Sequence, residues 1–121
     1  MLLHGDCLFE LKKIADKSVD LIYMDPPFNT QKRQILKTRD NSTEYSFDDI
    51  WNDITDYKTY IQERLSECHR VLKNSGSIFL HCDRSASHYL RIALDEVFGF
   101  SNFQSEIVWI YKRWSNAKRV C

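Results

Sequence analysis

Asp25-Pro26-Pro27-Phe28 is the group of residues best suited to chemistry in this chain. An ionised aspartate only accepts hydrogen bonds. Two prolines lack N–H donors and fix φ, so the loop is stiff and its carbonyls stay free as acceptors. Phe28 offers a ring face for stacking. An exocyclic amino group on a flat ring has two hydrogens to donate. Asp25 and the Pro26 carbonyl can take one each. That draws the nitrogen lone pair out of ring conjugation and aims it at an electrophile.

The element that must position this tetrad is the apolar run just before it, residues 19–24. It is short and bounded by turn residues, so it reads as a strand buried on both faces. Ligands of open α/β sheets bind outside the carboxyl ends of such strands, which is where Asp25 falls.

Other segments extend the pattern. Gly5-Asp6-Cys7-Leu8 stands near the start, and Ser18-Val19-Asp20-Leu21-Ile22 leads into the tetrad. Residues 70–83 run Arg-Val-Leu-Lys-Asn-Ser-Gly-Ser-Ile-Phe-Leu-His-Cys-Asp, and Phe98-Gly99-Phe100-Ser101-Asn102-Phe103 with Glu106-Ile107-Val108-Trp109 follow. Together these resemble the amino-methylating DNA methyltransferases, which modify N6 of adenine or N4 of cytosine, over nearly the whole chain. The order is similar to the permuted "beta" arrangement, in which the catalytic motif precedes the glycine-rich cofactor motif.

The resemblance implies a partial, mostly parallel, Rossmann-like methyltransferase sheet of α/β class with helices on both faces. Asp25, Pro26, Pro27 and Phe28 would be catalytic. Asp6, Cys7, Asp25 and Asp83 would meet S-adenosyl-L-methionine, Asp6 and the Cys7 backbone at its adenine edge. The aspartate at the first motif position favours adenine N6. Double-stranded DNA is the expected substrate, with a restriction subunit, a complementing C-terminal fragment or a homodimer as further partners. Cytosine-N4 methylation and a non-catalytic nucleic-acid-binding remnant are the alternatives. Family members of this order carry a later segment like Phe-x-Gly-x-Gly, whereas this chain has only Gly5, Gly76 and Gly99, well separated. The expectation is therefore a truncated catalytic domain over 1–121, with the glycine-rich motif and target-recognition region absent.

Composition agrees with one α/β unit. The 121 residues fit a single domain, and 43% hydrophobic content is near the globular average. Lys+Arg 17 balances Asp+Glu 17, so any DNA contact must rest on local patches. Lys32, Arg33, Lys37 and Arg39 follow the tetrad, and Lys112 and Arg113 form a second cluster near Trp109 and Trp114. Either cluster can meet phosphates; the plain alternative is a solvated charge run. The start lacks a basic, apolar leader, and no run approaches the roughly 18 apolar residues of a membrane helix. A cytoplasmic location is expected. Cys68-His69 and His81-Cys82 are the residues to weigh for zinc. Neighbours in a strand point to opposite faces, so no metal site is expected.

The remaining elements read as follows. Residues 1–4, 78–82 and 106–112 read as further strands. Asp6 precedes a short helix. Residues 29–56 show no clear period and read as a long mobile loop. A long helix capped by Thr55 or Asp56 carries Tyr57, Tyr60, Ile61, Leu65, Cys68 and Leu72 on its apolar stripe and stops at Asn74-Ser75-Gly76. Ser85 caps a third helix that ends at Gly99.

Overall fold

The structure is a computed structural model and describes residues 1–112. Arg113 and the residues after it lie outside the described residues. Helix α1 (Cys7–Leu11) is followed by strand β1 (Val19–Met24), strands β2 (Lys32–Lys37) and β3 (Glu44–Asp49), helix α2 (Ile54–Val71), strand β4 (Leu72–Leu80) and helix α3 (Ser87–Phe98). A short 3-10 turn, Phe100–Asn102, follows Gly99.

Strands β1 and β4 pair in parallel, from Val19 opposite Leu72 to Met24 opposite Leu80. The mixed α/β class with a parallel sheet is the one the sequence implies. Helix α2 supplies the crossover. Its Tyr57, Ile61 and Leu65 recur at four-residue steps and are fully buried against Ala86, Leu90 and Ala93 beside and within α3. Met24, Ile78 and Leu80 pack onto this cluster from the sheet. The opposite sheet face carries Leu21, Tyr23 and Phe79, all exposed, so β1 is covered on one face rather than two.

Several boundaries differ from the sequence reading. Residues 1–4 form no strand, and residues 106–112 are exposed and unpaired among the described residues. Helix α2 is capped by Asp53, whose side chain accepts from the Asp56 N–H, so the cap lies before Thr55 and Asp56. It ends at Val71, and β4 starts at once. The Asn74-Ser75-Gly76 stop falls inside β4, where the β1 register shifts between Val19 and Leu21. Gly76 is needed there: a Cβ would meet Leu72 Cδ1 at 2.7 Å and the Asp20 carbonyl oxygen at 3.0 Å. Ser85 does not cap α3; Ala86 occupies that position without a side-chain bond.

The largest correction concerns residues 29–56. Instead of an irregular loop they hold an antiparallel hairpin, with Lys32 opposite Asp49, Gln34 opposite Phe47 and Leu36 opposite Tyr45. Pairing satisfies the backbone without a strong apolar alternation, because one face turns to a cleft and the other to solvent.

Cys68 is buried on α2, and burial, then the Cys7 and Glu67 charges, push its thiol up to about 11. Cys7 is exposed. Iodoacetamide at pH 8 is therefore expected to modify Cys7 while Cys68 stays protected, as the thiolate is the reactive form. Peptide mass mapping checks this, and equal labelling of both would contradict the described packing of α2.

Candidate functional site

The site forms at the carboxyl end of β1. The His81 N–H donates to the Met24 carbonyl at 2.8 Å, extending the parallel pairing to the last residue before Asp25. Beyond that point the chain leaves the sheet, and Pro26 and Pro27 hold it in an extended loop. Asp25 is exposed, and its carboxylate makes no hydrogen bond or ion pair among the described residues. It is therefore free to act on a ligand.

The two proline carbonyls are not equivalent. Tyr57 Oη donates to the Pro27 carbonyl at 2.7 Å. Tyr57 is fully buried, and burial, followed by the Asp49 charge, pushes its hydroxyl pKa well up, so it remains a proton donor. The sequence reading left both carbonyls free; the fold leaves that of Pro26 without a partner among the described residues and spends that of Pro27. Phe28 lies against His81, ring centroids 5.3 Å apart.

Two clefts flank the loop. One, of about 650 Å³, lies between the loop and the hairpin and is lined by Phe28, Gln34, Leu36, Phe47 and Asp49. The other, of about 430 Å³, lies toward the chain start and is lined by Asp6, Cys7, Tyr23, Met24, Tyr60 and Arg64. Asp25, Pro26 and Pro27 line both. The two clefts therefore share a border at Asp25, Pro26 and Pro27, where reactants held in each could approach one another.

The structure brings Asp6 and Cys7 to the cleft that Asp25 also lines, and it shows what holds Asp6, which the sequence did not. Its carboxylate caps α1 through the Leu8 N–H at 2.9 Å and accepts two contacts from Arg64 Nη2, at 2.9 and 2.8 Å. Arg64 is buried, lies 3.4 Å from the Tyr60 ring centroid and leaves its Nε without a partner. Arg64 was not singled out from the sequence, and no local signal marks it.

Asp49 was missed as well. It is 1% exposed and accepts four hydrogen bonds: from the Asn29 N–H at 2.8 Å, the Thr30 N–H at 2.7 Å, Thr30 Oγ1 at 2.6 Å and Trp51 Nε1 at 3.1 Å. Burial raises its pKa, but the Thr30 hydroxyl and amide, with Trp51 and Asn29, outweigh burial and hold it below the ordinary value.

Asp83 lines neither cleft; its Oδ1 accepts from the Ser85 N–H at 2.8 Å and from Ser85 Oγ, closing the turn before α3. Among the basic residues, Arg33 faces Asp48 at 3.7 Å and Lys37 faces Glu44 at 3.5 Å across the hairpin. These exposed pairs are worth little and exchange readily. Lys32 and Arg39 are exposed on and beside the hairpin, and Lys112 is exposed at the end of the described residues. No helix of the described residues is long and apolar enough to cross a membrane.

A family model described as DNA methylase matches residues 19–121. Over 110 residues the chain is 36% identical to the DNA adenine methyltransferase YhdJ of Escherichia coli K12, covering 91% of this chain and 33% of that protein. It is 42% identical over 84 residues to the type II methyltransferase M.HinfI of Haemophilus influenzae, covering 65% of this chain and 23% of that one. For the type II methyltransferase M.KpnI of Klebsiella pneumoniae the identity is 34% over 98 residues, covering 81% and 23%. The matched part thus spans a third or less of the length of each of these relatives.

Proposed function

Since the chain belongs to the N6/N4 DNA methylase family, we propose that it carries the catalytic loop and base cleft of a DNA amino-methyltransferase acting on N6 of adenine. The observation that supports this most directly is the shared wall: Asp25, Pro26 and Pro27 border both clefts, with the Asp25 carboxylate unspent. Amino-methylation needs that layout, because the amino nitrogen and the methyl donor must meet at one point.

The larger cleft takes the base, extruded from the duplex. Phe28 supplies a stacking face. Asp25 and the Pro26 carbonyl accept the two amino hydrogens, which localises the nitrogen lone pair. Tyr57 fixes the Pro27 carbonyl and so sets the direction of the loop. With the methyl donor bound, the nitrogen would take the methyl directly as the sulfur–methyl bond breaks and a thioether leaves, with no covalent enzyme intermediate, and the surplus proton would pass by Asp25 to water. Orientation and placed dipoles provide most of the acceleration.

The smaller cleft fits the adenosine part of S-adenosyl-L-methionine. Tyr23, Met24 and Tyr60 give it flat and apolar walls. A carboxylate has about four acceptor positions, and Asp6 uses three of them on Leu8 and Arg64. One is left for an amino donor, and the Cys7 backbone stands beside it. When bound, this group supplies an electrophilic methyl on a sulfonium centre. Asp83, spent on Ser85, is a weaker candidate for the same role.

Double-stranded DNA is the proposed substrate and the cytoplasm the proposed location. Lys32, Arg33, Lys37 and Arg39 flank the base cleft and Lys112 and Arg113 follow the last helix, so both groups are proposed to meet phosphates. The test is nucleoside mass spectrometry of unmethylated DNA after incubation with the protein and S-adenosylmethionine. N6-methyl-2′-deoxyadenosine supports the reading. N4-methylcytosine would transfer it to the other base, and no modified nucleoside would leave a nucleic-acid-binding remnant.

Phe28→Ala is expected to weaken capture of the extruded base by about 1–3 kcal/mol, the usual range for stacking. Phe28→Tyr should be tolerated. Fluorescence of 2-aminopurine placed at the target position reads this, and an unchanged signal in Phe28→Ala would remove Phe28 from the base cleft.

A further inference from the structure

Asp49 stands outside the tetrad, yet more hydrogen bonds converge on it than on any of the four motif side chains. The backbone it holds is unusual. Asn29 and Gln31 have φ of 61° and 58°, in the left-handed region that non-glycine residues seldom enter. Such strain persists only where the surroundings over-determine it. Here successive N–H groups of Asn29 and Thr30 form a concave nest, and a carboxylate twenty residues later fills it. Charge-assisted bonds of this kind are the stronger class. All the acceptor capacity of the carboxylate is used, about four positions. Asp49 therefore cannot serve as a base, although it borders the larger cleft.

The nest begins immediately after Phe28. Tyr57 holds Pro27 from one side and Asp49 holds Asn29 and Thr30 from the other, so Phe28 lies between two fixed points. Asp49 also ends β3, whose Phe47 faces the loop across the cleft. One side chain thus ties the loop to the hairpin and sets the width between them.

We propose that Asp49 is a positioning residue for amino-methyl transfer: it latches the backbone behind Phe28 to the hairpin, holding the cleft at the width of one flat, amino-bearing base. The proposal rests on the methyltransferase reading. It differs from a purely structural role in where its loss is felt, in kcat rather than in DNA affinity.

The test compares Asp49→Asn and Thr30→Val with the unsubstituted protein at its full natural length. Steady-state transfer of tritiated methyl to unmethylated DNA is measured, together with amide exchange by NMR. Asp49→Asn keeps the shape but turns one oxygen into a donor that opposes the nest. Its kcat should fall about 10²-fold, as for a misplacement of roughly an ångström, while KM for DNA changes little. Thr30→Val removes one bond of the four, keeps the fold and should lower kcat about 3–10-fold. The Asn29 and Thr30 amides should exchange faster in Asp49→Asn, with those of Ile61 and Leu65 unchanged. An unchanged kcat in both variants, or a loss confined to KM, would overturn the proposal. If Asp49→Asn fails to fold, Thr30→Val decides. If the unsubstituted protein transfers no methyl, the methyltransferase reading falls and the positioning role with it; the exchange data then still separate a latch without catalysis from no latch at all.

Discussion

If the chain acts as proposed, Asp25→Ala is expected to lower kcat for methyl transfer by about 10²–10³-fold and to leave the fold intact. The carboxylate is exposed and makes no bond among the described residues, so its removal leaves no buried group unpaired and no cavity. What is lost is an acceptor whose bond to the amino group strengthens as the nitrogen becomes positive in the transition state. Removing one such placed partner costs about 10²–10³-fold in kcat. The loss belongs in kcat, because the ground-state base is held mainly by stacking. Steady-state kinetics with circular dichroism on the same preparation checks this. Near-normal turnover in the variant would take Asp25 out of the chemistry.

Asp6→Ala is the second large effect, and it is one of stability. Arg64 is 4% exposed, and its Nε already lacks a partner. Without Asp6 its guanidinium keeps only the Tyr60 carbonyl at 3.0 Å and the Tyr60 ring. Stranding one partner of a wholly buried pair costs roughly 3–5 kcal/mol. The Asp6 side chain is 45% exposed, so solvent screening lowers the expected loss to about 2–3 kcal/mol. The reverse variant, Arg64→Met, should cost less, because Asp6 returns to water. Urea unfolding of both single variants and the double variant measures the coupling. Equal losses in the two single variants would show that the pair is not asymmetric.

Much of the frame was legible because it rests on local pattern. The apolar run ending at Met24 and the four-residue steps of Tyr57, Ile61 and Leu65 each show their structure within one segment, as does the run to Phe98 stopped by Gly99. The tetrad was legible because its chemistry lies in the residue types. What escaped depends on partners far along the chain. Lys32-Arg33-Gln34-Ile35-Leu36-Lys37 does not alternate cleanly, and only pairing with residues 44–49 makes it a strand. The start of β4 at Leu72 escaped because Lys73-Asn74-Ser75-Gly76 has turn composition, while β1 lies alongside and recruits it. Arg64 and Asp49 were not singled out: Asp6, the acidic partner of Arg64, lies 58 residues away, and three of the four hydrogen bonds to Asp49 come from 19–20 residues away. The two residues that hold the site in shape are thus the ones a linear reading undervalues.

The hairpin is tied at its base. Asp49 binds Asn29 and Thr30, and the Trp51 N–H donates to Gln31 Oε1 at 3.1 Å. Everything between those ties is a closed excursion whose ends are fixed independently of its length. Each doubling of such an excursion costs only about 0.6 kcal/mol of closure entropy. The segment between Gln31 and Asp49 is therefore an exchangeable cassette. A hairpin of different length or sequence can be transplanted there from a relative, provided that an aspartate closes it, while Asp25 to Phe28 keep their geometry.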